Sequence, residues 1–263
     1  MKKLASKGLL HGYNEMASQE KDPEMKMDFG VLCMTEGDKI AYDAPKECVY
    51  LLLQGEVVYA WDGREETAAR RSIFHEDPVL LHVPQNTAVY LRCLSGKAEI
   101  AIQRTDNDKA FEPKLLRSGD LLRASEQRGA GLMNETSTRL VRTCFSRANC
   151  PETNFYMGEV VNFPGKWSTY PPHLHVEPEI YYYRFLPEGG FGFAELGDGA
   201  CKVRDNDATF ITGGGGHSQA AAPGYAEWYL WVVRLQDEVP FTLTDSPEHA
   251  WAAKPGAKCF PDI

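Results

Sequence analysis

Two histidines and a glutamate with the spacing of metal ligands lie within residues 171–185 (PPHLHVEPEIYYYRF). His173 and His175 are two residues apart, so both imidazoles project from the same face of an extended strand. Glu179 follows after three intervening residues, and Pro178 favours a bend that carries the carboxylate back towards that face. Two neutral imidazoles and one carboxylate suit a divalent ion such as zinc, manganese or iron. The segment therefore predicts a metal site.

A later histidine, His217, is the candidate for the fourth ligand. It follows four glycines at 213–216, which allow the backbone to turn sharply and to approach other segments closely. Two alternatives stay open at this point. Glu177 competes with Glu179 for the role of the carboxylate ligand, and histidines at this spacing also occur on protein surfaces where they bind nothing.

The elements that must position these residues are short apolar runs separated by turn residues. The runs are rich in Val, Ile, Leu and Tyr, and this spacing favours an antiparallel β-sandwich or barrel. Residues 78–91 and 208–231 repeat the same order of strand, turn and strand, and only residues 104–129 look able to form short helices. We therefore predict an all-β fold of two tandem antiparallel β-sandwich or barrel domains, 1–135 and 136–263. The first has no HxH pair and is expected to be metal-free and structural, and the second carries the metal site.

Charge and composition exclude several classes of protein. The 263 residues include 28 Lys and Arg against 37 Asp and Glu, which gives a formal net charge of −9. This charge disfavours nucleic acid and anionic membranes as partners, and no apolar stretch approaches the length of a spanning helix. An anionic substrate would need local cations at its site.

Cysteine usage and the start of the chain indicate the compartment. The seven cysteines are widely spread and form no CxxC pair, as expected for reduced, mostly buried thiols. The first residues lack the pattern of a secretory signal. We expect a cytoplasmic protein, and a homo-oligomer (a dimer or larger), because exposed sheet edges favour pairing between copies.

The order HxHxxxE, followed by a later histidine after a glycine-rich turn, resembles the metal motifs of the cupin superfamily. A closer resemblance is carried by residues 164–175 (PGKWSTYPPHLH), 179–185 (EIYYYRF) and 190–193 (GFGF). These stretches are similar to the 5-deoxy-glucuronate isomerase family of inositol catabolism, a bicupin group related to the 5-keto-4-deoxyuronate isomerases. Looser similarities, such as RRSIF at 70–74 and PEHAW at 247–251, extend over most of the chain.

The resemblance implies a bicupin of two jelly-roll-like barrels with one divalent metal ion. Its ligands would be His173, His175, Glu179 and His217. Zinc is the first expectation, with manganese and iron as rivals because four protein ligands must still leave room for substrate. The implied reaction is the aldose–ketose isomerisation of a sugar acid, 5-deoxy-D-glucuronate to 2-deoxy-5-keto-D-gluconate. The loop 176–178 is shorter than is usual in the family, and the turn before His217 has four glycines where the family usually has proline and an aromatic residue.

Such a reaction also needs a proton relay and a grip on the carboxylate of the substrate. Tyr181 and Tyr183 share the strand parity of Glu179, so either is a candidate to order the substrate or a relay water. Packing within the sheet is the alternative for these tyrosines. Lys166 and Arg184 are candidates to bind the carboxylate, for which an arginine fork is well suited, and either could equally be a surface charge.

Two other functions fit the same motifs. The first is a different metal-dependent cupin enzyme, either another uronate isomerase or an oxygenase that would need iron and consume oxygen. The second is a non-catalytic cupin that binds sugar acids as a sensor. Sensors usually carry a DNA-binding module, and the sequence shows no basic helix-turn-helix-like segment.

Overall fold

The computed structural model of the chain describes residues 2–43, 45–237 and 239–262. Its regular structure in these ranges consists of β-strands and 3-10 helices of three or four residues. The first eleven strands are β1 (Lys2–Leu4), β2 (Gly12–Ala17), β3 (Asp28–Thr35), β4 (Lys39–Tyr42), β5 (Glu47–Trp61), β6 (Arg64–Arg70), β7 (Leu80–Val83), β8 (Val89–Cys93), β9 (Lys97–Thr105), β10 (Lys114–Leu116) and β11 (Arg123–Arg128).

The remaining strands are β12 (Arg139–Phe145), β13 (Phe155–Asn162), β14 (Trp167–Leu174), β15 (Glu179–Leu186), β16 (Phe191–Leu196), β17 (Gly199–Arg204), β18 (Ala208–Ile211), β19 (His217–Ala221), β20 (Ala226–Arg234) and β21 (Thr244–Asp245). The 3-10 helices are Pro23–Met25, Ser118–Asp120, Met133–Glu135 and Ala250–Ala253. The predicted all-β fold is thereby confirmed. Within residues 104–129 only Ser118–Asp120 is helical, because Leu115 and Leu116 are buried in a strand that pairs with β7.

The chain forms two compact units. The N-terminal unit comprises residues 8–124 and 143–157, and the C-terminal unit comprises the described residues of 1–7, 125–142 and 158–263. In the C-terminal unit β1 pairs with β18, with Lys2 opposite Phe210, so the first strand of the chain is added to a sheet formed mostly by later residues. The predicted division between residues 135 and 136 stays a prediction.

The N-terminal unit is organised around the long strand β5. Its first part pairs with β7 and β9, and its second part pairs with β6 and β8. The change of partners occurs near Gly55, which has φ +102°, and a Cβ there would lie 2.5 Å from the carbonyl oxygen of Lys97. Only glycine fits this bend without moving the backbone. Alternating apolar residues of these strands, among them Tyr50, Leu52 and Ile100, form the buried core.

The C-terminal unit contains the candidate metal ligands. Its sheets have the orders β1-β18-β15-β20-β13-β12-β11 and β17-β16-β19-β14-β21. In β15, alternation places Glu179, Tyr181 and Tyr183 on one face and Tyr182 and Arg184 on the other. The pairing of β14 with β19 sets His173 opposite His217. Strand register therefore brings residues that are far apart in sequence to one end of these two sheets.

Two further features of the chain concern membranes and thiols. Of the residues described, none belongs to a helix with the length and apolar character that crossing a bilayer requires. All seven cysteines are free thiols. Four of them are buried and three are partly exposed (Cys150, Cys201 and Cys259).

Candidate metal centre

The four predicted ligands lie together in the C-terminal unit. One nitrogen from each histidine and one carboxylate oxygen all lie within 4.8 Å of one another in the group His173, His175, Glu179 and His217. The Nε2 atoms of His175 and His217 are 3.0 and 3.2 Å from Oε2 of Glu179. The rings of His173 and His217 have centroids 4.3 Å apart and are inclined by 69°. The structure thus brings together every residue that the spacing and the resemblance had singled out as a ligand.

The glycine run before His217 shapes one wall of this cluster. Gly213 has φ +99°, and a Cβ there would lie 2.7 Å from the carbonyl oxygen of Val176. The amide of Gly214 donates a hydrogen bond of 3.0 Å to the carbonyl of His175. The turn therefore packs directly on the short loop between His175 and Glu179, an approach that side chains at 213 would prevent. This contact explains why glycines stand beside a shortened loop.

Backbone carbonyls fix the orientation of two of the imidazoles. Nδ1 of His175 lies 3.0 Å from the carbonyl oxygen of Glu177, and Nδ1 of His217 lies 3.1 Å from that of Gly215. Each Nδ1 must donate to its carbonyl, so in the neutral ring Nε2 carries a lone pair directed into the cluster. Such contacts of the second ring nitrogen are typical of histidines that bind a metal.

With these tautomers, the lone pairs of two imidazole nitrogens point at the lone pairs of one carboxylate oxygen. In the neutral rings, Nε2 of His175 and of His217 would both face the carboxylate oxygen of Glu179, and Nε2 of His217 is buried without a hydrogen-bond partner among the described residues. Only a cation between these atoms, or a proton on the rings, relieves the repulsion. Ligand bonds of about 2.0–2.2 Å at right angles would place two donor atoms roughly 3 Å apart, as found here. The donor set therefore fits a divalent metal ion.

Electrostatics within the cluster favour the metal-binding protonation states of His173 and Glu179, and a proton on His175. Burial, together with the charge of His217, lowers the pKa of His173 to about 3, so this ring is neutral. Burial opposes ionisation of Glu179, but its contacts with His175 and His217 lower the pKa of Glu179 to about 2. Burial likewise opposes a charge on His175, yet Glu179 raises the pKa of His175 above its usual value. A neutral imidazole and an ionised carboxylate are the forms in which these ligands bind a metal, so a bound cation would take the place of the proton that Glu179 favours on His175.

The competition between the two glutamates is decided by position. Glu179 opens β15 and its carboxylate faces Nε2 of His175, whereas Oε2 of Glu177 lies 3.8 Å from Nδ1 on the other side of that ring. Glu177 is 1% exposed, so its carboxylate is held behind the imidazole. Glu179 is therefore the carboxylate of the cluster, and Glu177 is placed to act on the orientation of His175.

The two candidate tyrosines differ in their position relative to the metal-ligand cluster. The ring of Tyr181 is 5.8 Å from that of His217 and 5.1 Å from that of Tyr229. Tyr183 lies one step further along β15, and its hydroxyl is 2.7 Å from the hydroxyl of Thr209 and 2.9 Å from Oε1 of Gln219. Burial raises the pKa of Tyr181 and of Tyr183 well above the usual value. Both phenols therefore keep their protons, and Tyr181 is the one beside the cluster.

Of the two predicted substrate-binding cations, Arg184 faces away from the cluster. Arg184 lies on the opposite face of β15 from Glu179, and its Nε donates a hydrogen bond of 2.9 Å to the hydroxyl of Tyr182. Lys166 precedes β14, whose register against β19 shifts between Ser168 and His173, so that Trp167 lies opposite Ala220 and His173 opposite His217. The position of Arg184 does not favour its role in substrate binding, and that of Lys166 stays a prediction.

A different arginine, Arg139, lies near the cluster. Arg139 opens β12, is partly buried and donates a hydrogen bond of 2.8 Å to the carbonyl of Ser137. Burial lowers the pKa of His173 and raises that of Tyr229, and the positive charge of Arg139 adds to the first shift and opposes the second. The sequence around it (RLVRTCF) carries no signal beyond that of an ordinary strand, so only the sheet order reveals its position.

A model of the KduI/IolB family matches residues 5–252. A curated relative from Halalkalibacterium halodurans, named 5-deoxy-glucuronate isomerase, is 25% identical over 225 residues, which are 78% of this chain and 80% of the relative. The name of this relative is that of an isomerase, which confirms the prediction that the chain is an isomerase.

Solved structures show the same fold. The crystal structure of an IolB-like protein from Salmonella typhimurium LT2 has a TM-score of 0.86 at 19% identity and covers 96% of this chain and 99% of its own. Bacillus subtilis oxalate decarboxylase, a protein described with Mn(II) centres, has a TM-score of 0.66 at 12% identity and covers 96% of this chain and 81% of its own. These neighbours confirm the bicupin fold, and the match over residues 5–252 establishes that the chain belongs to the KduI/IolB family.

Proposed function

We propose that this protein is a metal-dependent isomerase that converts 5-deoxy-D-glucuronate to 2-deoxy-5-keto-D-gluconate. The observation that carries the proposal is the cluster of three imidazoles and one carboxylate, in which the buried Nε2 of His217 faces Glu179 without a hydrogen bond. The names of the curated relatives supply the substrate. The donor set accepts zinc, manganese or iron, and zinc remains the first expectation.

The ligands of the ion would be His173, His175, Glu179 and His217. A divalent ion bound there would polarise the substrate carbonyl and stabilise negative charge on its oxygen during isomerisation. Glu177 and the glycine turn hold the imidazoles in place for this role. The ring of Phe241, whose centroid is 5.4 Å from that of His175, adds an apolar contact beside the cluster.

Tyr181 would hold a proton beside the reacting carbons. Its raised pKa keeps the phenol protonated at neutral pH, so it can donate a hydrogen bond to a substrate oxygen. Tyr183 is less suited to contact substrate, because its hydroxyl is already engaged by Thr209 and Gln219.

Arg139 would bind the carboxylate of the sugar acid. The protein as a whole is negatively charged, so an anionic substrate needs a local cation, and the charge of Arg139 acts on His173 and on Tyr229 beside Tyr181. A planar guanidinium can hold a carboxylate by two parallel hydrogen bonds. Arg139 is thus an alternative to Lys166 and Arg184 as the residue that binds the substrate carboxylate.

The first experiment measures metal content and isomerase activity together. We expect near-stoichiometric zinc, manganese or iron in the purified protein, loss of that metal in H173A and H217A, and loss of isomerisation of 5-deoxy-D-glucuronate in both variants. H75A, which alters an exposed histidine outside the cluster, is the control and should keep both properties.

Two results would contradict the proposal. A wild-type protein that stays metal-free when divalent ions are added would remove the metal-dependent mechanism. A protein that binds iron and consumes oxygen but does not isomerise the sugar acid would favour the oxygenase alternative.

A further inference from the structure

A threonine of β14 has a backbone conformation that its own side chain disfavours. Thr169 has φ +56°, in the left-handed region, where a β-branched residue is an outlier. Ser168 lies opposite Gln219 and His173 lies opposite His217. β14 therefore advances five residues where β19 advances two, and Thr169 lies in the resulting bulge. Strained residues cluster at functional sites, so the presence of Thr169 at this position calls for an explanation.

The bulge turns two neighbouring hydroxyls towards the same phenol. In a regular strand Ser168 and Thr169 would point to opposite faces of the sheet. Here Oγ of Ser168 lies 2.6 Å from the hydroxyl oxygen of Tyr229, and Oγ1 of Thr169 lies 3.2 Å from the same atom. The left-handed conformation therefore brings the side chain of Thr169 to the side of the strand that carries Ser168.

Thr169 joins this phenol to the one beside the metal-ligand cluster. Its side chain also forms a hydrogen bond with that of Tyr181. The ring of Tyr181 is 5.1 Å from that of Tyr229 and 5.8 Å from that of His217. β14 belongs to one sheet of the C-terminal unit, whereas β15 and β20, which carry the two tyrosines, belong to the other. The hydroxyl of Thr169 thus links the two sheets next to the candidate metal centre.

The hydrogen bonds among these hydroxyls leave one donor over. Four hydroxyls, each with one proton, share three contacts, and they belong to Ser168, Thr169, Tyr181 and Tyr229. When the donations run from Ser168 through Tyr229 to Thr169, the last of these donates to the remaining phenol. The proton of Tyr181 is then free for an acceptor outside the chain of hydroxyls. Hydrogen bonds that run in one direction also polarise and strengthen one another.

We propose that Thr169 is a positioning residue of the isomerase, whose hydroxyl orients the phenol of Tyr181 as a hydrogen-bond donor to the substrate. The inference rests on the function proposed above and adds to it a residue outside the ligand motif. It also explains the strained backbone, because glycine at 169 would relieve the strain but would carry no hydroxyl.

The first test compares two substitutions of Thr169 in the metal-loaded enzyme. T169V keeps the β-branched shape but lacks the hydroxyl, and T169S keeps the hydroxyl. With 5-deoxy-D-glucuronate, we expect T169V to lower kcat about tenfold while KM and metal content stay as in the parent, and T169S to keep kcat within about threefold of the parent. T209V removes the hydroxyl bonded to Tyr183, and as the matched control it should leave kcat unchanged.

A double substitution tests whether Thr169 acts through Tyr181. In a Y181F background, T169V should cause no further loss of kcat, because the phenol that it would orient is already absent. An equal loss in both backgrounds would overturn the proposal. A T169S enzyme as slow as T169V would do the same, since the shape of the side chain and not its hydroxyl would then matter.

Crystal structures of the parent and of both variants without substrate give a readout that does not depend on activity. The hydroxyl of Tyr181 should move by more than about 0.5 Å in T169V and stay in place in T169S. An unmoved Tyr181 in T169V, or full activity of T169V, overturns the proposal. A metal-loaded wild type that does not isomerise 5-deoxy-D-glucuronate would instead contradict the function proposed above, and the structures would still decide whether Thr169 positions Tyr181.

Discussion

The hydroxyls of Tyr181 and Tyr183 lie on the same face of β15, yet their surroundings predict different effects. Y181F removes a proton donor beside the cluster and should lower kcat by about tenfold or more, since general acid–base groups contribute at least that much. Y183F leaves Gln219 and Thr209 without their buried partner and should lower the free energy of unfolding by about 1–3 kcal/mol. Steady-state kinetics and urea unfolding of both variants separate these roles, and a Y181F enzyme with unchanged turnover would exclude Tyr181 from the relay.

Arg139 offers a second test at the scale of single residues. R139Q should raise KM for the sugar acid about tenfold or more, because a charge-assisted contact with the substrate carboxylate is lost. R184Q is the matched control, since its guanidinium lies on the opposite face of β15 against Tyr182. If R184Q raises KM and R139Q does not, the carboxylate is bound on the other side of the sheet.

At the scale of elements, the glycine turn couples the loop after β14 to the start of β19. G213A should be strongly destabilising and should weaken metal binding, because the added Cβ would meet the carbonyl of Val176 at 2.7 Å and displace the turn that carries His217. G214A has a similar positive φ of +81° but open space around the Cβ, so it should cost only about 1 kcal/mol and keep the metal. Melting temperatures and metal content of the pair test this, and equal losses in both variants would show that backbone strain alone matters.

The geometry of the strands also explains which residues of the candidate site could be predicted from the sequence and which could not. The spacing of His173 and His175 and the bend at Pro178 were enough to predict a cluster, because both follow from local strand geometry. His217 was recognisable from the glycines before it. Arg139 was not, since it lies in an ordinary strand and gains its surroundings only from neighbouring strands in the sheet order. Residues of this kind are found only when the register of distant strands is known.

At the scale of the whole molecule, a buried acid links stability to pH. Glu227 is fully buried in β20, Nδ2 of Asn162 lies 3.2 Å from its Oε2, and burial raises the pKa of Glu227 to about 8. The folded chain therefore holds a proton there between about pH 4.5 and 8, whereas the unfolded chain does not. The contribution of this group to stability must fall as pH rises through that window.

E227Q removes this dependence. Relative to the wild type, E227Q should gain stability as the pH rises from about 5 to 8, with a slope of at most about 1.4 kcal/mol per pH unit. Urea unfolding at several pH values measures the difference, and E248Q, an exposed glutamate, is the control. Parallel pH profiles for E227Q and wild type would show that Glu227 is already ionised in the folded protein.

The pairing of β1 with β18 has a consequence for synthesis on the ribosome. Lys3 contacts Asp207 at 2.8 Å, so the first strand pairs with β18, which is translated about 200 positions later. At roughly 5–20 residues per second, the emerging β1 waits on the order of 10–40 s for its partner, while residues 8–124 can already begin to fold. The nascent chain must therefore keep its first few residues available throughout the synthesis of one whole unit and most of the next.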